Sequence, residues 1–119
     1  MRYPLALLLI AAVVALAACG SARRGAPLTG PHEPPNAEVA EGQRTFDRFC
    51  NGCHPGGAAG VGLALNNKPL PGFVIRRQVR WGLGAMPAFS EETISDQDLD
   101  NLVAYLVWLR RLDRKDDSG

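Results

Sequence analysis

Cys50-Asn51-Gly52-Cys53-His54 is the stretch on which the reading of this chain turns. Two cysteines two residues apart, with a histidine directly after the second, form the C-x-x-C-H pattern of covalent haem attachment. Each thiol can add across one haem vinyl group, and the adjacent histidine then lies beneath the iron as its proximal ligand. The intervening pair lets both sulfurs reach the two vinyls from one turn of chain, while the next residue points at the ring centre. Two other chemistries use paired cysteines. A thioredoxin-like redox dithiol wants a preceding strand and a βαβ context, and a structural zinc site wants four ligands.

Working back from the motif, residues 38–53 read as a helix. Val39, Gly42, Phe46, Phe49, Cys50 and Cys53 recur at three- and four-residue intervals, with Glu41, Arg44, Asp47 and Arg48 on the other side. A helix rather than a strand therefore precedes the cysteines, and it is expected to carry the motif at its C-terminal end. Gly42 costs helix stability relative to alanine, so close contact with another helix is its expected reason.

Working forward, Pro55 to Gly62 is glycine-rich. It lacks the strand and following helix of a phosphate loop. Backbone passing close to a large flat cofactor accounts better for so few side chains. Residues 72–81 form a short helix between Pro71 and Gly82. Val74, Ile75, Gln78 and Val79 run along one side of it. Arg76, Arg77 and Arg80 make a basic stripe that reads as a solvated face, a haem-propionate partner or a docking patch for an acidic protein. Met86 follows in a glycine- and proline-bounded loop. It is the only methionine left once Met1 is removed with a leader, and it is the candidate second axial ligand of the iron. Residues 95–112 form the last helix, with Ser95 as N-cap, Asp96 and Asp98 in the first turn and Arg110 and Arg111 in the last. Its apolar stripe is Leu99, Leu102, Val103, Leu106 and Leu109, and core packing is its expected role. No strand pattern appears, so the fold class is all-α.

The N-terminus carries different information. Arg2 precedes a 14-residue apolar run from Leu5 to Ala18, which is a signal-peptide pattern and short of the roughly 20 residues needed to span a bilayer. Leu16-Ala17-Ala18-Cys19 resembles the lipobox of bacterial lipoproteins, in which the cysteine after the cut carries the acyl chains. Residues 19–37, with Pro27, Pro31, Pro34 and Pro35, then serve as a flexible tether of roughly 25 Å. His32 lies in this tether as a loop histidine, and residues 113–119 are a charged tail. Lys plus Arg number 13 against 12 for Asp plus Glu, and removing Arg2 with the leader leaves 12 against 12. This balance gives no basic footprint for nucleic acid.

Residues 38–112 resemble the class I cytochrome c fold. The resemblance rests on Gly42 and Phe46, the Cys50–His54 motif, Gly84-Ala85-Met86-Pro87, and a final helix bearing Leu102 and Tyr105. It implies first and last helices that cross through those glycine and aromatic positions, around a single covalent haem c with one edge exposed. It implies Cys50 and Cys53 as thioether residues, with His54 and Met86 as iron ligands. Met86 stands 32 positions after His54, consistent with small bacterial members. The family commonly has a proline after the loop glycine, whose carbonyl accepts the proximal histidine's ring N–H. Here Leu63 follows Gly62, so the Leu63 carbonyl is the candidate acceptor without the rigid turn. Function then reads as a monomeric, non-enzymatic one-electron carrier with no small-molecule substrate. It would be lipid-anchored at Cys19 on the periplasmic face of a membrane. The family's partners are a quinol–cytochrome c oxidoreductase or periplasmic dehydrogenase as donor and a terminal oxidase as acceptor. A dedicated subunit of one dehydrogenase, or a haem protein that binds ligands at an open site, are the alternatives.

Overall fold

A computed structural model describes residues 7–11 and 32–116, with side chains as far as 113. Residues 7–11 are helical. Cys19, most of the expected leader and the tether as far as residue 31 lie outside the described residues. Three α-helices organise the remainder: α1 (Ala37–Phe49), α2 (Gly72–Trp81) and α3 (Asp96–Asp116), with a 3-10 turn at Pro55–Gly57. The single β-type pairing among the described residues is an isolated bridge between Leu83 and Met86. None of the described helices is long and apolar enough to cross a membrane.

Each helix starts for a local reason. Asn36 caps α1, its Oδ1 accepting from the Val39 N–H at 2.9 Å. Ser95 caps α3, its Oγ accepting from the Asp98 N–H at 3.1 Å. Pro71 supplies the extended entry to α2, and Gly82, at φ +69°, ends it. Two boundaries differ from expectation. The first helix stops at Phe49, and Cys50 is its C-cap, so the motif lies in the turn beyond the helix rather than on its last turn. At the other end α3 continues to Asp116, so the expected tail at 113–119 begins inside a helix.

The core is the seam between α1 and α3. Phe46 and Leu102 are completely buried, and the Phe46 and Tyr105 rings stand 5.2 Å apart. Gly42 lets the two backbones touch. A Cβ there would fall 2.0 Å from the Asn101 carbonyl oxygen and 2.8 Å from the Tyr105 Cβ. The expected helix-contact glycine is therefore a backbone-to-backbone crossing point. Ile75 and Val79 of α2 join the same cluster, as does Ile94, a completely buried residue of the turn before α3.

Candidate functional site

The chain turns sharply after α1, and backbone bonds set the motif's shape. The N–H groups of Cys53 and His54 both donate to the Cys50 carbonyl, at 3.1 and 2.9 Å. Asn51, inside the motif, reaches forward, and its Oδ1 accepts from the Gly56 N–H at 2.8 Å. Cys50 is partly buried and Cys53 exposed, and neither is in a disulfide. Burial, with a smaller contribution from Cys53, pushes the Cys50 thiol up to about 11. A redox dithiol needs the opposite shift, since reactivity requires an accessible thiolate. Nor do any three His, Cys, Asp or Glu side chains among the described residues gather into a metal-holding group, as a zinc module requires.

His54 is held on two sides. Its Nδ1 stands 2.7 Å from the Leu63 carbonyl oxygen. A carbonyl only accepts, so Nδ1 is the donor of that bond and Nε2 is the ring nitrogen left outside it. The contact expected at Leu63 forms without a proline to aim it. Gly62 makes that possible. A Cβ there would sit 2.2 Å from His54 Cε1 and 2.6 Å from Nδ1, so bare backbone lies against the imidazole. Gly57, at φ +81°, makes a similar approach to the Leu109 side chain. Within the glycine-rich loop, Gly62 thus lies against the chain's own histidine and Gly57 against α3.

Met86 occupies a separate loop. Its backbone pairs with that of Leu83, and Gln78 Nε2 donates to its Sδ at 3.6 Å. Val74, Gln78, Trp81 and Leu83 line a shallow concavity on this side, with Trp81 and Leu83 largely exposed. Gln78 is a site residue that the sequence reading placed only on an apolar helix face. Its spacing from Met86 gave no signal, because the chain reverses between them.

The basic stripe divides. Arg80 is mostly enclosed and bonded to Asp96, and Arg76 pairs with Asp100 on α3. Arg77 is left exposed, its guanidinium 4.0 Å from the centre of the Trp81 ring. Two of the three arginines are thus tied to acids of α3, and the third stacks on Trp81 at the surface. The bond from Arg80 also holds the Asp96 carboxyl below its ordinary 3.8.

Residues 37–106 match the family model for cytochrome c oxidase, cbb3-type, subunit III, over more than half of the chain. The chain belongs to this family of c-type cytochromes. Over 71 residues it is 34% identical to the cytochrome c subunit of 4-cresol dehydrogenase (hydroxylating) from Pseudomonas putida, covering 60% of this chain and 62% of that one. It therefore spans under two thirds of that relative. Cytochrome c6 of Bryopsis maxima is 36% identical over 75 residues, covering 55% and 84% of the two chains. Cytochrome c6 of Gloeothece citriformis is 33% identical over 78 residues, covering 59% and 70%. No solved structure matches at comparable significance.

Membership implies covalent haem c with its iron. The donor set suits that group. Two cysteines outside any disulfide, an imidazole whose Nε2 lies outside the bond to Leu63 and a thioether sulfur are the groups that a His/Met haem c would take from its protein.

Proposed function

We propose that this cytochrome carries single electrons between redox proteins while tethered to a membrane. Cys50 and Cys53 would hold the haem through thioethers, and His54 Nε2 and Met86 Sδ would ligate its iron. The haem supplies a one-electron iron couple, and a His/Met pair sets that couple high among haem ligations. The protein's part is positional. The Leu63 carbonyl fixes the His54 tautomer and raises the ring's basicity, while Gly62 backbone stops the ring from turning. Gln78 steadies the Met86 sulfur from α2. With the iron held by two side chains of the chain, the haem would be suited to passing single electrons rather than to binding a substrate. The observation that carries this reading is the 2.7 Å contact of His54 Nδ1 with the Leu63 carbonyl oxygen, which engages that nitrogen and leaves Nε2 outside the bond.

The tether follows from Cys19, which we propose as the acylated N-terminus on the extracytoplasmic, periplasmic face of a membrane. Anchoring replaces free diffusion with a high local concentration near membrane partners. A quinol–cytochrome c oxidoreductase or a dehydrogenase as donor, and a terminal oxidase as acceptor, suit a monomeric carrier of this kind. Mass spectrometry of the mature protein tests the reading at once. The expected result is a chain starting at an acylated Cys19, with haem mass on the peptide containing residues 50–54. A start elsewhere would remove the tether, and a haem-free motif peptide would sink the whole proposal.

The relationship to the 4-cresol dehydrogenase cytochrome subunit favours a second reading, in which the domain serves one dehydrogenase as a dedicated subunit. Stoichiometric co-purification with a single dehydrogenase would favour it. Isolation as a lone cytochrome would favour the shuttle.

A further inference from the structure

Arg80 lies in the last turn of α2, with its side chain 21% exposed, and its guanidinium is spent entirely on one neighbouring segment. Nη1 donates to the backbone carbonyls of Phe89 at 3.3 Å, Ser90 at 3.2 Å and Ile94 at 2.7 Å. Nη2 donates to Asp96 Oδ1 at 2.6 Å. These four acceptors span the stretch that leads out of the Met86 loop and into α3. One further bond joins the same two places, from the Phe89 N–H to the Val79 carbonyl at 2.9 Å. Upstream of Met86, Gly82 leaves α2 only one residue after Trp81. The loop that carries the sulfur is thus attached to α2 at its start by covalent chain and at its end by Arg80.

We infer that Arg80 is a positioning residue for the Met86 sulfur, a latch that holds the far end of its loop against α2. The inference rests on the proposed ligation by Met86. Three of the four acceptors are backbone carbonyls, so the bonds fix the path of the chain itself, and Asp96 adds a charge-assisted fourth. A planar guanidinium can serve several of them at once, which a lysine ammonium on its flexible stem does less well. Arg76 supplies the contrast. It also joins α2 to α3, through Asp100, yet it bonds to no part of the Met86 loop.

The test uses haem-loaded, full-length ferric protein titrated with imidazole, which competes with the methionine for the iron. The charge-transfer band of sulfur-ligated ferric haem is followed alongside unfolding in denaturant. Losing one charge-assisted anchor should tighten apparent imidazole binding by about tenfold in Arg80→Gln. Arg80→Lys should fall between Arg80→Gln and wild type. Arg76→Gln, with the same change of charge, should bind imidazole as wild type does even where it lowers stability. An Arg80→Gln protein with wild-type imidazole affinity, or one matched by Arg76→Gln, overturns the latch. If Arg80→Gln yields no folded protein, the comparison of Arg80→Lys with Arg76→Gln decides in the same way. Met86→Ala separates the two layers of the argument. A wild-type sulfur band that survives Met86→Ala overturns the ligand assignment itself. A band lost in Met86→Ala but equally resistant to imidazole in Arg80→Gln and wild type overturns the latch alone.

Discussion

Replacing Gly42 with alanine adds one methyl group at the closest approach of α1 and α3. Its Cβ would lie 2.0 Å from the Asn101 carbonyl oxygen, 2.5 Å from the Asn101 carbonyl carbon and 2.8 Å from Tyr105 Cβ. None of these is the loose end of a side chain. Reaching an ordinary contact of about 3.4 Å requires the helices to part by about 1.4 Å, which opens the layer where Phe46 and Leu102 are completely buried. Overpacking of this sort costs about 1–3 kcal/mol, and rigid backbone obstacles place it at the upper end. Alanine returns about 1 kcal/mol through better helix propensity. The net expectation is a loss of about 2 kcal/mol, or about 8–16 °C in melting temperature for a domain of this size. Denaturant unfolding of the haem-loaded protein, followed by circular dichroism, measures it. Gly52→Ala is the matched control, because a Cβ there meets nothing within 4 Å. It should stay within about 0.5 kcal/mol of wild type. A Gly42→Ala midpoint at or above the wild-type value would refute the backbone crossing.

The remaining expectations concern the site and its pH range. Gln78→Leu removes a donor from the Met86 sulfur, leaving it a better ligand for ferric iron. A hydrogen bond's net worth of about 0.5–1.5 kcal/mol becomes a fall of about 20–60 mV for a one-electron couple, and a potentiometric titration showing no fall would discount the bond. Gly62→Ala should move the potential the other way. Its Cβ would collide with the His54 ring 2.2 Å away, break the bond to Leu63 and lower the ring's basicity, so an unchanged or lower potential would contradict the clamp. Burial, helped by the charge of Asp47, pushes the Tyr105 phenol from 10.0 up to about 12. The folded state then holds that proton more tightly than the unfolded state does. Its stabilising contribution is complete below pH 10 and is lost as pH rises toward 12, and Tyr105→Phe should flatten that part of the stability profile.

Much of this molecule is written in short-range pattern. The cysteine spacing, the α1 and α3 stripes and the bounds of α2 all depend on residues within one or two turns of each other, and each lies where the periodicity placed it. The Ser95 cap is legible for the same reason. What escaped reading depends on chain reversals. Arg80 looked like one member of a charged stripe because its carbonyl acceptors are 9 to 14 residues away and carry no side-chain signature. Ile94 is completely buried although it belongs to no periodic run. The approach of Gly62 to the His54 imidazole had no signal in the sequence, because only the folded loop brings the two together. Helix ends were blurred at Phe49, where the α1 pattern runs on into the motif cysteines although the backbone has already turned.

The grip of α3 on residues 57–70 has a consequence for assembly order. Leu109 fills the space beside Gly57, Asn66 Nδ2 donates to Asp113 Oδ1 across 47 positions, and Arg110 donates to the Leu70 carbonyl across 40. The stretch that follows the C-x-x-C-H motif therefore gets its fixed shape from the most distal helix of the described chain. Such long-range closures form late, since the chain entropy of joining their ends is spent before any contact compensates. A chain whose C-terminal helix has not yet docked would therefore leave the motif's two thiols accessible, and docking of α3 would close the stretch that follows them.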